Sequence, residues 1–385
     1  MKTKTFYYVA SLSAALLITV VTGCKKNDSL ATDSVKKNEI YKGEVSMDDV
    51  FSDLKKIKSL GFDPLSVEII TDGYRVEGDI RLTKKNLDES VAALSKQQGQ
   101  YSTKYPLTLE RTIKVALDDK SNTVKFKTAF DASILALNNL KLPLKFVTET
   151  DIAKADIVTL FKDLGGKRAT GVTLGQDGEF VDAKGNPGKE IYLNSNKDAE
   201  LNNKTTDYLT SIMIHEFGHA IGLRHTDYKN KFYSALSSGG IATDAATQDQ
   251  YVTLLVKKLI DGKYGIGAWD VKSNADKKTL KETYIKNNYT ERDDAGSNSK
   301  AGHIYGTPLS PVYGSNITTD PLSVMLAFAG TNFKFSLFDN IALFGLYGNP
   351  AQTILIRNSL DENGNVTAAG KTLQQIVDEA KALKF

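Results

Sequence analysis

The chain has 385 residues, and its 49 Lys and Arg residues exceed its 46 Asp and Glu residues by a net charge of +3. So small an excess, without a concentrated basic patch, argues against a nucleic acid as a partner, and the length has room for about two domains. The single cysteine excludes an internal disulfide and any thiolate ligand for a metal in the body of the protein. We expect a monomer.

The first 23 residues have the pattern of a bacterial lipoprotein signal. Lys2 and Lys4 precede an apolar run from Phe6 to Val21, and small residues follow directly before Cys24. This order is typical of a secretory signal, and an apolar run of about 16 residues is short for a membrane span. We therefore expect cleavage before Cys24 and a lipid anchor on that cysteine, in the outer membrane or at the cell surface rather than in the inner membrane. An uncleaved transmembrane helix is the alternative.

A small α+β unit is predicted over residues 45–100, after a polar tether over 24–44 that has no apolar period. Apolar residues recur at helical spacing from Met47 to Leu60. Two strand-like runs, Ser66–Ile70 and Tyr74–Leu82, are joined across Asp72-Gly73, a dipeptide that favours hairpins. A short helix near residues 84–94 and a polar linker then end the unit, which is a candidate pro-region.

A larger α+β unit is predicted over residues 106–349. Its strands are expected at 112–117, 144–147, 157–160 and 191–193, and its first helix at 124–140. The Gly-rich stretch 165–188 predicts a surface loop, with an edge strand for an extended substrate formed by Gly171, Val172, Thr173 and Leu174. A mostly apolar helix then runs from a cap at Thr205 or Thr206 to Leu223.

The strongest chemical signal is the segment His-Glu-Phe-Gly-His-Ala-Ile-Gly-Leu-Arg-His, which begins at His215. His215 and His219 project from the same face of a helix, because each helical turn takes 3.6 residues. Gly222 permits a sharp turn that brings His225 round as a third nitrogen ligand. Three imidazoles suit Zn²⁺, which leaves its fourth position to a water of lowered pKa. Glu216, beside the ligands, is the expected general base for attack on a peptide carbonyl.

This segment has the HExxHxxGxxH pattern of the metzincin zinc peptidases. The resemblance implies a metzincin-like zincin domain, in which a twisted mixed sheet covers the active-site helix. It also implies a small C-terminal subdomain with a methionine turn, for which Met325 is the candidate. A tyrosine that some metzincins carry two residues later is absent, because that position is Ala327.

The segments Tyr74–Ile80 and His215–Asp227 more closely resemble the dual-action HEIGH metallopeptidases, although Phe217 replaces the isoleucine of that name. A long insertion, about 228–318, separates His225 from Met325 and carries helical patterns of its own. It could shape substrate access, with Trp269 as a contact, or it could pack away from the cleft. Ser336 and Asp339 predict a helix cap after the methionine turn, and residues 350–385 predict a helical C-terminal extension.

Two further residue groups have alternative interpretations. Asp79 could occupy the open metal position, as an aspartate does in some metzincin proenzymes, but its place in a predicted strand favours a structural role. The loop with Asp177, Asp182, Gly185 and Gly188 resembles one in which matrixins bind Ca²⁺, although such residues are common in any turn.

The pattern as a whole predicts a membrane-anchored zinc endopeptidase that cleaves extracellular or envelope polypeptides. One alternative is a surface binding lipoprotein with a structural zinc, but such sites usually have four protein ligands and only three are evident. Another is a zinc hydrolase that acts on peptidoglycan.

Overall fold

The structure of the chain is a computed structural model. It describes residues 50, 52–54, 56–57, 67–70, 73–76, 78–84, 87, 100–103, 106–109, 111–118, 123–167, 172–177, 180–182, 184–238, 241–290, 302–311, 313–314, 319–328 and 334–383. The predicted signal segment, Cys24 and the tether lie outside the described residues. No helix within these ranges combines the length and the apolar character that a membrane span requires.

The N-terminal unit combines helical residues between 50 and 57 with strands β1 (Glu68–Ile70), β2 (Gly73–Val76) and β3 (Ile80–Thr83). The predicted β1–β2 hairpin is confirmed, since Ile70 pairs with Gly73. The prediction of one strand over Tyr74–Leu82 is wrong, because the chain turns at Gly78, whose φ is +98°, and β2 and β3 then pair antiparallel. Ile57, Tyr74 and Leu87 help to form a small apolar core for this unit.

Seven more strands complete the sheets. They are β4 (Gln100–Ser102), β5 (Arg111–Leu117), β6 (Leu144–Thr148), β7 (Ile157–Lys162), β8 (Gly175–Asp177), β9 (Glu190–Asn194) and β10 (Gly302–His303). The main sheet has eight strands in the order β1-β2-β3-β8-β9-β7-β5-β6, and β4 pairs with β10. Strands β5, β6, β7 and β9 run parallel, whereas β8 is antiparallel to β9. The mixed sheet confirms the predicted α+β class.

Two helices pack together beneath the sheet, α1 (Val124–Asn138) and α2 (Thr206–Ala220). Each begins at a threonine whose hydroxyl accepts a backbone N–H, Thr123 for α1 and Thr205 for α2. The rings of Phe130 and Phe217 lie 6.2 Å apart between them. Helix α2 ends three residues before the predicted Leu223, because Gly222 has a φ of +99° and turns the chain away.

The insertion contains α3 (Phe232–Ser238), α4 (Ala245–Tyr264) and α5 (Asn274–Asn288), so the helices predicted there are confirmed. These helices share a separate apolar core that includes Phe232, Val252, Trp269 and Ile285. Trp269 is only 4% exposed. It therefore stabilises the insertion and is not available as a substrate contact.

Three helices end the chain: α6 (Leu337–Tyr347), α7 (Pro350–Ser359) and α8 (Leu373–Ala382). The predicted cap of α6 is present as a reciprocal pair, in which Ser336 and Asp339 each accept the other's backbone N–H. Helices α7 and α8 lie in the stretch 350–385, for which the sequence predicted a helical extension. Asn349 caps α7, and Pro350 stands in its first turn, where a missing N–H costs nothing.

Candidate metal centre

Three histidines converge at the end of α2. His215 and His219 lie one turn apart, and their Nε2 atoms are 3.0 Å from each other. The turn at Gly222 folds His225 back, so that its ring centre lies 4.8 Å from that of His219 and 5.2 Å from that of His215. The structure thus brings together the three residues that the sequence predicted as ligands.

Two outer hydrogen bonds orient these rings. His215 Nδ1 lies 2.8 Å from the carbonyl oxygen of Val324, and His219 Nδ1 lies 2.8 Å from that of Leu223. Since a carbonyl only accepts, each Nδ1 carries the proton and each Nε2 presents a lone pair to the centre. Burial lowers the pKa of His219 to about 4, which keeps this ring neutral. Two such nitrogens 3.0 Å apart can bind one cation together, so the donor set fits a metal.

Asp79 lies at the same point, and this corrects the expectation that its role is structural. Its Oδ2 is 2.9 Å from His225 Nε2, 3.3 Å from His215 Nε2 and 3.7 Å from His219 Nε2. These four residues could hold one metal ion. Burial opposes ionisation of Asp79, but the charge of His225 and the closeness of the three ring nitrogens hold its pKa well below the usual range.

Glu216 is buried beside the centre. A Cβ on Gly175 would lie 2.2 Å from its Oε1, so β8 approaches the carboxyl group this closely only because that residue is glycine. Glu216 Oε2 has no hydrogen-bond partner among the described residues. Burial raises the pKa of Glu216 well above its usual value, and the charges of Asp79 and Asp177 add to this effect. A carboxyl group with a raised pKa suits proton transfer near neutral pH.

Met325 packs directly beneath α2. A Cβ on Gly218, between the two helical histidines, would lie 2.4 Å from its Sδ atom, so the glycine makes room for the thioether. The Met325 carbonyl accepts the backbone N–H of Thr226 at 3.0 Å. The preceding Val324 N–H donates to Asp339 at 2.8 Å, so the cap of α6 also holds the loop that orients His215.

The predicted substrate edge is already covered. Gly171 lies outside the described residues, Val172 to Leu174 have no regular structure, and strand β8 follows them. The Thr173 hydroxyl donates to the Gly78 carbonyl at 3.2 Å, and β3 pairs with β8 through Ile80 and Asp177. In the neighbouring loop the Asp182 carboxylate accepts the backbone N–H groups of residues 184 and 186, and Ca²⁺ binding there stays a prediction.

A place for Asp79 at the metal position was the less favoured of two predictions, and neither Gly175 nor the two carbonyls that orient the histidines was predicted. The Glu-Gly-Asp run was the one available signal for Asp79, because a glycine within a strand pattern indicates a bend. No comparable signal marks Val324 or Leu223, whose contribution is a backbone carbonyl that any residue has.

One family model matches the part of the sequence that carries this site. The family model of the dual-action HEIGH metallopeptidases matches residues 74–251. Two solved structures of myroilysin are similar to the chain. The first is 15% identical with a TM-score of 0.29, and the similarity covers 63% of this chain and 82% of the myroilysin chain. The second is 13% identical with a TM-score of 0.30, and the similarity covers 70% of this chain and 99% of the myroilysin chain. No curated protein matches the sequence. Residues 74–251, which match this family model, contain Asp79, Glu216 and the three clustered histidines.

Proposed function

We propose that the chain is a zinc-dependent endopeptidase in which His215, His219 and His225 hold the metal and Glu216 is the general base. The observation that carries this proposal is the convergence of the histidine nitrogens, with the outer nitrogens of His215 and His219 bonded to carbonyls. Neutral imidazoles of this kind are preferred ligands of Zn²⁺, and a metallopeptidase is what the family implies.

The chain's own groups supply the proton transfers. When bound, zinc would polarise a peptide carbonyl and lower the pKa of water. Glu216 would accept the proton of the attacking water and return it to the leaving amine. Its burial and its unpartnered oxygen suit this task, because the carboxyl group is not committed to a structural bond. The carbonyl of Val324 would keep His215 in its metal-binding tautomer throughout.

The metzincin type of this peptidase is supported by the position of Met325. Its thioether lies under the helix that carries two of the proposed ligands, against Gly218, and it is 1% exposed. A buried methionine can pack beneath imidazole rings without binding the metal. The loop of Met325 also presents the Val324 carbonyl to His215, so packing and ligand orientation depend on the same turn.

The substrate would be an extended polypeptide that pairs with the backbone between Val172 and Asp177. The N-terminal sequence favours lipidation at Cys24 and a location in the cell envelope. We also retain the proposed division into an N-terminal unit and a larger catalytic unit, which the separate apolar core around Ile57 and Tyr74 supports.

A second candidate function gains support from Asp79. With this carboxylate the centre has four protein groups, as structural zinc sites do, so a binding lipoprotein with a zinc staple is a coherent alternative. Glu216 argues against it. A staple has no use for a buried carboxyl group with an unpartnered oxygen, and an unpaired buried polar atom costs about 1–3 kcal/mol.

The proposal is tested by digesting a mixed peptide library with the zinc-loaded chain from Lys25. The same assay is run with Glu216→Gln and with a surface control, Glu362→Gln. We expect cleavage to fall about 10²- to 10⁴-fold in Glu216→Gln, with unchanged zinc content, and to be unaffected in the control. Because Asp79 contacts the metal-binding nitrogens, all measurements are repeated in an Asp79→Ala background. Cleavage that survives Glu216→Gln in both backgrounds would refute the proposed base.

A further inference from the structure

The geometry points to a built-in inhibitor: the hairpin of β2 and β3 closes the metal centre with Asp79 and covers the substrate edge. We infer that the described conformation is a latent form, and that activity requires this hairpin to leave the cleft. The inference rests on the proposed peptidase function, because latency has meaning only for an active site.

Asp79 lies at the centre of the three histidines. Its Oδ2 lies within 3.7 Å of the Nε2 atoms of all three histidines. A catalytic zinc keeps one position open for water or substrate, whereas a site with four protein ligands is closed. Asp79 therefore takes the place that catalysis needs. The group at the centre is a side-chain carboxylate, which has no peptide bond for the site to cut.

The same hairpin also covers the substrate edge. The Gly78 carbonyl accepts a hydrogen bond from Thr173, and Ile80 extends the sheet opposite Asp177 of β8. One short segment, residues 78–80, thus occupies both the metal position and the edge strand. A polypeptide substrate could not pair with β8 while these contacts persist.

The contacts of the hairpin allow it to separate from the rest of the protein. Its apolar residues, among them Tyr74 and Ile80, belong to a small core distinct from the one beneath the main sheet. Its ladder with β8 consists of a single residue pair. Polar bonds add to it: Arg75 donates to Gln176 at 2.7 Å, and Arg81 to Glu190 at 2.6 Å. Water can replace such bonds, so withdrawal would leave the main core intact.

The site also has a route to solvent on this side. The side chains of Asp79 and His215 are 14% and 13% exposed, whereas those of His219 and His225 are fully covered. The exposed side of the centre is thus the side that Asp79 caps. A permanent structural ligand of the metal does not need to face solvent, whereas a ligand that is released has to do so.

The experiment replaces the zinc with Co²⁺, whose visible spectrum reports its ligands, and adds acetohydroxamate as a small metal-binding probe. It compares the chain from Lys25 with Asp79→Ala and with Asp131→Ala, a matched loss of one carboxylate on the exposed face of α1. We expect the probe to leave the spectra of the unmutated chain and the control unchanged, and to shift that of Asp79→Ala. Metal affinity should fall about 10- to 100-fold in Asp79→Ala only, and its peptide cleavage should rise at least 10-fold.

Each outcome is decisive. A probe-induced shift in the unmutated chain would overturn the closed site, and that measurement needs no variant to fold. Equal spectra and affinities for Asp79→Ala and the control would also overturn it. An altered spectrum without peptide cleavage would uphold Asp79 as the closing ligand but would contradict latency together with the proposed peptidase function. An altered spectrum with increased cleavage that Glu216→Gln abolishes would establish both.

Discussion

Gly218 and Met325 form the contact whose energy can be worked out most directly. In Gly218→Ala the new Cβ would lie 2.4 Å from Met325 Sδ and 3.0 Å from its Cε. Ordinary contacts between such atoms need about 3.5–4.0 Å, so the thioether must move by about 1 Å. Its backbone is held on both sides, because Met325 donates to Ser323 Oγ and accepts from the Thr226 N–H.

The expected cost is that of a modest overpacking, about 1–3 kcal/mol, reduced by the helix propensity of alanine, which exceeds that of glycine by about 1 kcal/mol. We therefore expect Gly218→Ala to destabilise the protein by up to about 2 kcal/mol. Met325→Ala alone should cost about 2–5 kcal/mol because it leaves a cavity. In that background Gly218→Ala should stabilise by up to about 1 kcal/mol, so the two substitutions should couple by about 1–3 kcal/mol.

The assay is urea unfolding of the four proteins of this cycle, each with chelator and with zinc. The matched control is Gly262→Ala in α4, because a Cβ there would meet no atom within 4 Å. The control should be neutral or slightly stabilising in both backgrounds. If Gly218→Ala behaves like the control whether or not Met325 is present, the thioether does not rest on this glycine and the reasoning fails.

Three further predictions concern the same framework. Burial, with the charge of Asp320, raises the pKa of Asp339 from 3.8 to about 6. The folded state then binds the proton more tightly, so this group lowers stability as pH rises from about 4 to 6, by about 3 kcal/mol at most. Asp339→Asn should lack this component, and identical pH profiles in urea unfolding would contradict it. With free zinc at about 1,000 times its dissociation constant, removal of the zinc should lower the free energy of unfolding by about 4 kcal/mol. Calorimetry should show this loss as a lower melting temperature, and His219→Gln should abolish the effect. Asn194→Ala should cost about 2–4 kcal/mol, because its side chain bonds Leu164 N and the carbonyls of residues 165 and 173; a loss as small as that of surface Asn202→Ala would refute this.

The arrangement of the three histidines could be predicted from the sequence because its geometry is local. The spacing of His215 and His219 fixes their relation within one helical turn. Gly222, at a φ of +99°, then determines where His225 returns. The strands β5, β6, β7 and β9 could be predicted for a similar reason, since buried parallel strands are short apolar runs bounded by polar residues.

The remainder of the site depends on contacts that no local pattern encodes. Asp79 and His215 are separated by 136 positions in the chain, and their meeting depends on how β3 adds to β8. The error began with the prediction of one strand over Tyr74–Leu82, which concealed the turn at Gly78. Trp269 illustrates the same limit, because its burial follows from the packing of α4 against α5 and not from its neighbours in sequence.

The family match covers the β2–β3 hairpin with Asp79 as well as the histidines. The match begins at Tyr74 and ends at Tyr251, within α4. The hairpin with Asp79, the β8 edge and the histidine segment therefore lie within one shared stretch of sequence, whereas most of the insertion lies beyond it. A segment that merely linked the tether to the catalytic unit would have no need to present a carboxylate to the metal-binding nitrogens. We therefore expect closure by Asp79 to accompany the metal site itself. Differences in substrate access should arise from the insertion. The variant Thr173→Val should test these expectations. Loss of the hydrogen bond from Thr173 to Gly78 should speed the opening of the centre to acetohydroxamate. The peptide sequences that are cut should not change.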